Sequence, residues 1–109
     1  MATNTFTRYI NRNVGTSPVT MVTAASSTQT TVIGLTASNT SSSPITVDVY
    51  LVVSAANYYI VKTATVPVGG SLALFGADGK LVLNTGDAFT VVSSAATSAD
   101  FILSCLQIT

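Results

Sequence analysis

This chain has few groups with which to do chemistry. Its four acids are Asp48, Asp78, Asp87 and Asp100, its four bases are Arg8, Arg12, Lys62 and Lys80, and its one thiol is Cys105. His, Glu and Trp do not occur. General acid–base and nucleophilic catalysis need a proton-transfer group or an activated nucleophile, and a metal centre needs several donors brought together. Asp78 in GADGK and Asp87 in NTGD have oxygens to offer, but without the dense Asp-x-Asp-x-Asp-Gly spacing of a calcium loop. They read as turn formers. Asp48 alternates with strand residues and reads as facing solvent or pairing with Lys62 or an arginine. Asp100 reads as the start of the last strand. Cys105 sits in the apolar run FILSCLQI, has no cysteine to pair with and no His or Glu to activate it, and reads as a buried, inert thiol. Gly69-Gly70-Ser71 lacks the Lys-Ser/Thr and the helix of a phosphate loop. The expectation is a protein that is not an enzyme, with no cofactor and no metal.

Partners are bounded by charge. Four acids balance four bases, and only 7% of residues are charged. No Lys/Arg cluster exists to hold phosphates, so nucleic acid is not an expected partner. Neither a basic surface helix nor an apolar run of membrane-spanning length is present, so no membrane contact is expected either. The N-terminal MATNTFTRYINRN lacks the apolar core of a secretory signal, and cytoplasmic synthesis is the default. Net charge near zero favours association, which points to a surface covered by neighbours, the other reading being a neutral Ser/Thr-rich surface kept soluble by its hydroxyls.

The elements that must position these residues are strands. Ile45, Val47, Val49, Leu51 and Val53 alternate with Thr46, Asp48, Tyr50 and Val52, a period of two sustained over the segment. Further runs read as strands: Phe6–Ile10, Val19–Thr23, Thr30–Ala37, Tyr58–Lys62 continuing to Val66, Ser71–Phe75, Lys80–Leu83, Ala88–Ser93 and Asp100–Ile108. Turns fall at Ser38–Ser43, Ser54–Asn57, Gly69-Gly70, Gly76–Gly79 and Asn84–Asp87, where Gly86 reads as a positive-φ residue. About eight strands at roughly 8–12-residue spacing predict an all-β fold: a single-domain antiparallel β-sandwich, jelly-roll or Ig-like. Residues 1–17 read as an N-terminal arm and residues 18–109 as the sandwich domain.

Two groups of residues are candidates for contact. The last strand is apolar on both faces, with Phe101, Leu103 and Cys105 on one and Ile102, Leu106 and Ile108 on the other. A small sandwich buries one such face, so Ile102, Leu106 and Ile108 are expected at an interface. The arm residues Phe6, Arg8, Tyr9 and Arg12 are expected to join them. Tyr50, Tyr58 and Tyr59 gather around one hairpin, as a contact patch or as cross-strand packing, with Tyr58 and Ile60 on one face and Tyr59 and Val61 on the other. Asn39-Thr-Ser is formally a glycosylation sequon, discounted without a secretory route.

The order of three runs carries a resemblance. TVIGLTASNTSSSPITVDVYL, then YYIVKTATVPVGGSLAL, then KLVLNTGDAFTVVSSAATSADFILSCLQI resembles small virion proteins of tailed bacteriophages over about residues 30–108. A strand ending in L-x-A-x-N-T, a later P-x-G-G-S-L, a K-x-V-L strand, an x-G-D turn and a final S-A-x-S-A-D before an apolar strand follow one another as in that group. The resemblance implies a β-sandwich structural protein with no catalytic residues to carry over. Its expected place is the virion, made in the host bacterial cytoplasm. A capsid decoration (cement) protein bridging capsomers is expected first, as a homo-oligomer with a trimer the first guess. The alternatives are a head–tail neck or tail component, and a carbohydrate- or receptor-binding module using the tyrosines. The partners are then the chain itself and the major capsid protein, or neck and tail proteins.

Overall fold

The dense Val, Ile and Thr content disfavours helix through restricted χ1 rotamers and suits a pleated surface. The computed structural model describes residues 4–74 and 80–108, and among the described residues it is built of strands without a helix. The strands are β1 (Asn4–Val14), β2 (Val19–Thr23), β3 (Gln29–Asn39), β4 (Ile45–Val53), β5 (Ala56–Val66), β6 (Ser71–Leu74), β7 (Leu81–Leu83), β8 (Ala88–Ser93) and β9 (Ala99–Ile108). β2, β4 and β8 have the bounds expected from periodicity. Phe75, the Gly76–Gly79 turn and Asp78 lie outside the described residues.

One sheet has the order β1-β9-β3-β6, with β7 also on β3, and the other has the order β2-β8-β4-β5. Every pairing is antiparallel: β1 with β9, β2 with β8, β3 with β6 and β7, and β4 with β5, joined by β3–β9 and β4–β8. The first four strands thus form one arm of a long hairpin and the last five the other. Rolled up, that hairpin gives jelly-roll connectivity, not the Ig-like order. The core lies between the sheets, where Phe89 and Val91 of β8 meet Phe101 and Leu103 of β9, all fully buried.

Residues 4–17 are not a detached arm. β1 pairs with β9 from Asn4↔Ile108 to Asn11↔Phe101, and Val14 is buried in the core. The Val14 and Gly15 carbonyls accept the Ser98 and Ser93 amides at 3.1 and 2.9 Å. The strand is mostly polar and lies at the edge of its sheet, with β9 its one strand neighbour there among the described residues. Its cross-strand partner lies about ninety residues away, so local pattern under-reports it.

The β4–β5 hairpin also departs from simple alternation. Its turn is Ser54-Ala55, with φ of 51° and 67°, and Asn57 belongs to β5 rather than to the turn. The register jumps from Val49↔Val61 to Tyr50↔Tyr59, so Ile60 is an extra residue. A bulge of this kind turns the following side chains over. Val61 therefore faces inward with Val49, while Tyr59 faces outward with Tyr50, which separates two residues that strict alternation places together.

A side chain closes one end of the sandwich. Asn39, 5% exposed at the end of β3, donates through Nδ2 to the Ser43 carbonyl at 2.9 Å and the Val66 carbonyl at 3.0 Å. Its Oδ1 accepts from the Ser41 amide at 2.9 Å and the Ser41 hydroxyl at 2.7 Å. One amide thus ties β3, the Ser41–Ser43 turn and β5 together across the two sheets. Both Nδ2 protons are engaged, which gives the sequon a structural role in place of a modification site.

Candidate functional site

The described acids serve backbone. Asp48 Oδ1 accepts the Thr63 amide at 2.6 Å, at a position where Thr63 has φ of 57°. Asp87 Oδ2 accepts the Asn84 amide at 2.9 Å and closes the NTGD turn. Asp100 Oδ1 accepts the Asn13 amide at 3.0 Å, where β1 leaves regular register and Asn13 has φ of 56°. Each carboxylate stabilises a bulge or turn, and the three lie at separate places. Lys62 does not turn to Asp48; its Nζ lies over the Tyr59 ring, 4.4 Å from the centroid, a cation–π contact. Cys105 is fully buried, and burial pushes its thiol pKa up, which keeps it protonated and unreactive.

The contact candidates divide between the two outer faces. On β9, Phe101, Leu103 and Cys105 point into the core, as expected from the apolar pattern, and Ile102, Leu106 and Ile108 point the other way. Directly paired residues share a face, so the register places Phe6 beside Leu106, Arg8 beside Ser104 and Ile10 beside Ile102 on that outer surface. The rows continue across the sheet, from Leu106 to Thr31 and Val82 and from Ile102 to Thr36 and Ala73. Phe6 is 76% exposed, Val82 64%, Ile10 59% and Ile102 48%, the most exposed large apolar side chains among the described residues besides Tyr58 and Val68. Arg12 is exposed and, with Ile10, Asp100 and Ile102, lines an open depression of about 470 Å3.

Tyr9 faces the opposite way from Phe6 and Arg8. It is half-buried against the core, and its hydroxyl accepts a bond from Gln107 Nε2 at 2.9 Å. It is a packing residue of this sheet rather than part of the outer surface.

The tyrosines do not form one platform. Tyr50 and Tyr59 lie on the outer face of the second sheet with ring centroids 5.0 Å apart, in a row running Thr20, Thr90, Tyr50, Tyr59 across all four strands. Tyr59 covers Tyr50, whose pKa is raised by burial and, secondarily, by Tyr59 and Asp48. Tyr58 pairs with Leu51 and so belongs to the other face of the hairpin. Packing between strands accounts for Tyr50 and Tyr59.

The outer faces therefore differ in kind. An antiparallel sandwich normally shows polar residues to water, as Thr20, Asp48 and Lys62 do on the second sheet. The β1-β9-β3 face shows Phe6, Ile10, Ile102 and Leu106 instead, continued by Val82 of the adjoining β7. Contiguous apolar surface on the order of a few hundred Å2 marks contact sites in soluble proteins. Ile10 and Val82 were not among the residues singled out by sequence. Ile10 continues the alternation of Phe6 and Arg8, the one signal that could have found it. Val82 lies on a three-residue strand too short to show a period. Comparison with protein-family models and with curated proteins finds no match to this chain.

Proposed function

We propose that the chain is a structural protein of a tailed-bacteriophage particle, a capsid decoration protein that docks the outer face of its β1-β9-β3 sheet on the capsid. The observation that carries the reading is that apolar face, displayed by a chain of zero net charge whose described acids are all engaged with backbone amides. The order of strand and turn motifs along residues 30–108 supports it from the sequence side. Jelly-roll wrapping is compatible with it, since capsid domains are among the users of that topology, though fold alone does not assign function. The mechanism is contact. Each copy buries a modest apolar patch, and many copies on a repeating lattice act together as a multivalent clamp.

The test adds purified protein to particles that lack it, counts bound copies and locates them by electron cryo-microscopy. Density over the capsomers is the expected result. Ile102→Asp puts a carboxylate in the middle of the docking face while leaving the core untouched, so it should cost about 2 kcal/mol or more of contact energy, roughly thirtyfold in affinity. Density confined to the neck or tail would move the assignment there. No bound copies, or undiminished binding by Ile102→Asp, would overturn the reading.

A further inference from the structure

The five sheet edges among the described residues are not alike. An open edge is a row of unpaired N–H and C=O groups, and proteins blunt such edges by shortness, bulges or twisted backbone. β6 has four residues and β7 three. β2 has five and a register break between Thr20 and Val22. β5 is long but carries two register breaks, Thr63 at φ of 57°, and Lys62. β1 is eleven residues long and runs in unbroken register from Asn4 to Asn11, its one break and the positive φ of Asn13 falling at its C-terminal end. It also carries Phe6 and Ile10, exposed by 76% and 59%.

We propose that β1 is a self-association edge: two copies of the chain pair β1 with β1, antiparallel, with Tyr9 opposite Tyr9 of the second copy. The two sheets then join into one, and the apolar outer face runs on across the two-fold axis. A second copy is the occupant because the regular stretch of the edge is self-complementary about Tyr9. Tyr9 is the midpoint of Asn4–Val14, and the pairs from Thr7 to Asn11 in this register fall within the regular stretch of the strand. It sets Ile10 opposite Arg8 of the second copy and Phe6 opposite Arg12 of the second copy, twice each by symmetry. Arginine stems cover apolar surface, and guanidinium favours an aromatic face. Centring on Arg8 instead would oppose two arginines, and centring on Ile10 would oppose Arg8 to Arg12 twice, both destabilising. On the inner face Thr7 meets Asn11. The blunted edges leave β1 as its own best match among the strands of this chain. A two-fold contact closes on itself, so it makes a dimer, in contrast to the trimer expected from the resemblance. The inference does not depend on the particle assignment.

Two measurements test it on the full chain. Sedimentation equilibrium of the wild-type protein should give twice the chain mass at tens of micromolar; a monomer or a trimer overturns the proposal. Disulfide trapping then reads the register. Directly opposite residues lie about 4.5–5.5 Å apart, within disulfide reach, whereas diagonal ones lie about 7–8 Å apart, beyond it. Arg8→Cys and Ile10→Cys proteins, purified separately and mixed under mild oxidation, should form a linked dimer several-fold faster than either alone. The wild type, whose Cys105 is buried, serves as the silent control. Trapping no faster in the mixture than in the separate proteins overturns the register and with it the β1 interface.

Discussion

Replacing Asn39 tests whether one amide holds the two sheets in place. Asn39→Ala removes four hydrogen bonds, two donated to the Ser43 and Val66 carbonyls and two accepted from Ser41. Each bond contributes a net of about 0.5–1.5 kcal/mol, and bonds sharing one side chain are not additive, so the expected loss is about 2–4 kcal/mol. Unfolding entropy near 2.1 cal/mol/K per residue gives about 0.23 kcal/mol/K for a chain of this length, so a 3 kcal/mol loss lowers Tm by about 13 °C. Asn39→Asp is the sharper variant. One carboxylate oxygen keeps the Ser41 donors, but the other faces the Ser43 and Val66 carbonyls where Nδ2 stood at 2.9 and 3.0 Å. Opposing lone pairs disfavour the charged form, so the folded pKa of the introduced carboxyl is raised above the unfolded value of about 3.9. The folded state then binds more protons than the unfolded one between those two pKa values. Stability is therefore greatest below the unfolded pKa and falls as pH rises through the folded one. Urea melts from pH 3.5 to pH 8, with the wild-type profile subtracted, should show a deficit that grows with pH. An Ala variant within about 0.5 kcal/mol of wild type, or an Asp deficit that does not change with pH, would refute the reasoning.

Three further outcomes follow from the backbone. Gly86 has φ of 91° in the Asn84–Asp87 turn, so Gly86→Val should destabilise by about 1–3 kcal/mol in thermal melts, because a β-branched residue is strained there. Ser54 and Ala55 both have positive φ in a two-residue hairpin turn, the geometry Asn-Gly prefers, so replacing Ser54-Ala55 by Asn-Gly should raise stability by about 1 kcal/mol in urea titration. Deleting residues 1–17 should lower stability by several kcal/mol or prevent folding. It removes β1 from β9 and Val14 from the core, together with the carbonyl partners of Ser93 and Ser98. A truncated chain as stable as the full one would show that β1 does not belong to the fold.

The fold class was legible in the sequence because its signal is local. The nine-residue alternation of Ile45–Val53, the Gly and Asp turns and the two-faced apolar Phe101–Ile108 are read from neighbours a few residues apart. Buried Cys105, the inward Phe101 and Leu103 and the positive φ of Gly86 follow from that level too. What the tertiary structure decided are matters of long-range pairing. That polar Asn4–Val14 is an edge strand depends on β9, far along the chain. That Tyr59 turns outward while Val61 turns inward depends on one extra residue, Ile60, against β4. That Asn39 is a fully bonded tie rather than a turn residue depends on Val66 lying beside it. The candidate surface itself arises the same way: Phe6, Ile10, Ile102, Leu106 and Val82 come from three separate stretches of chain, and the register that lays them on one face is settled by the rolled-up hairpin, since a shift of one residue would send each to the other side.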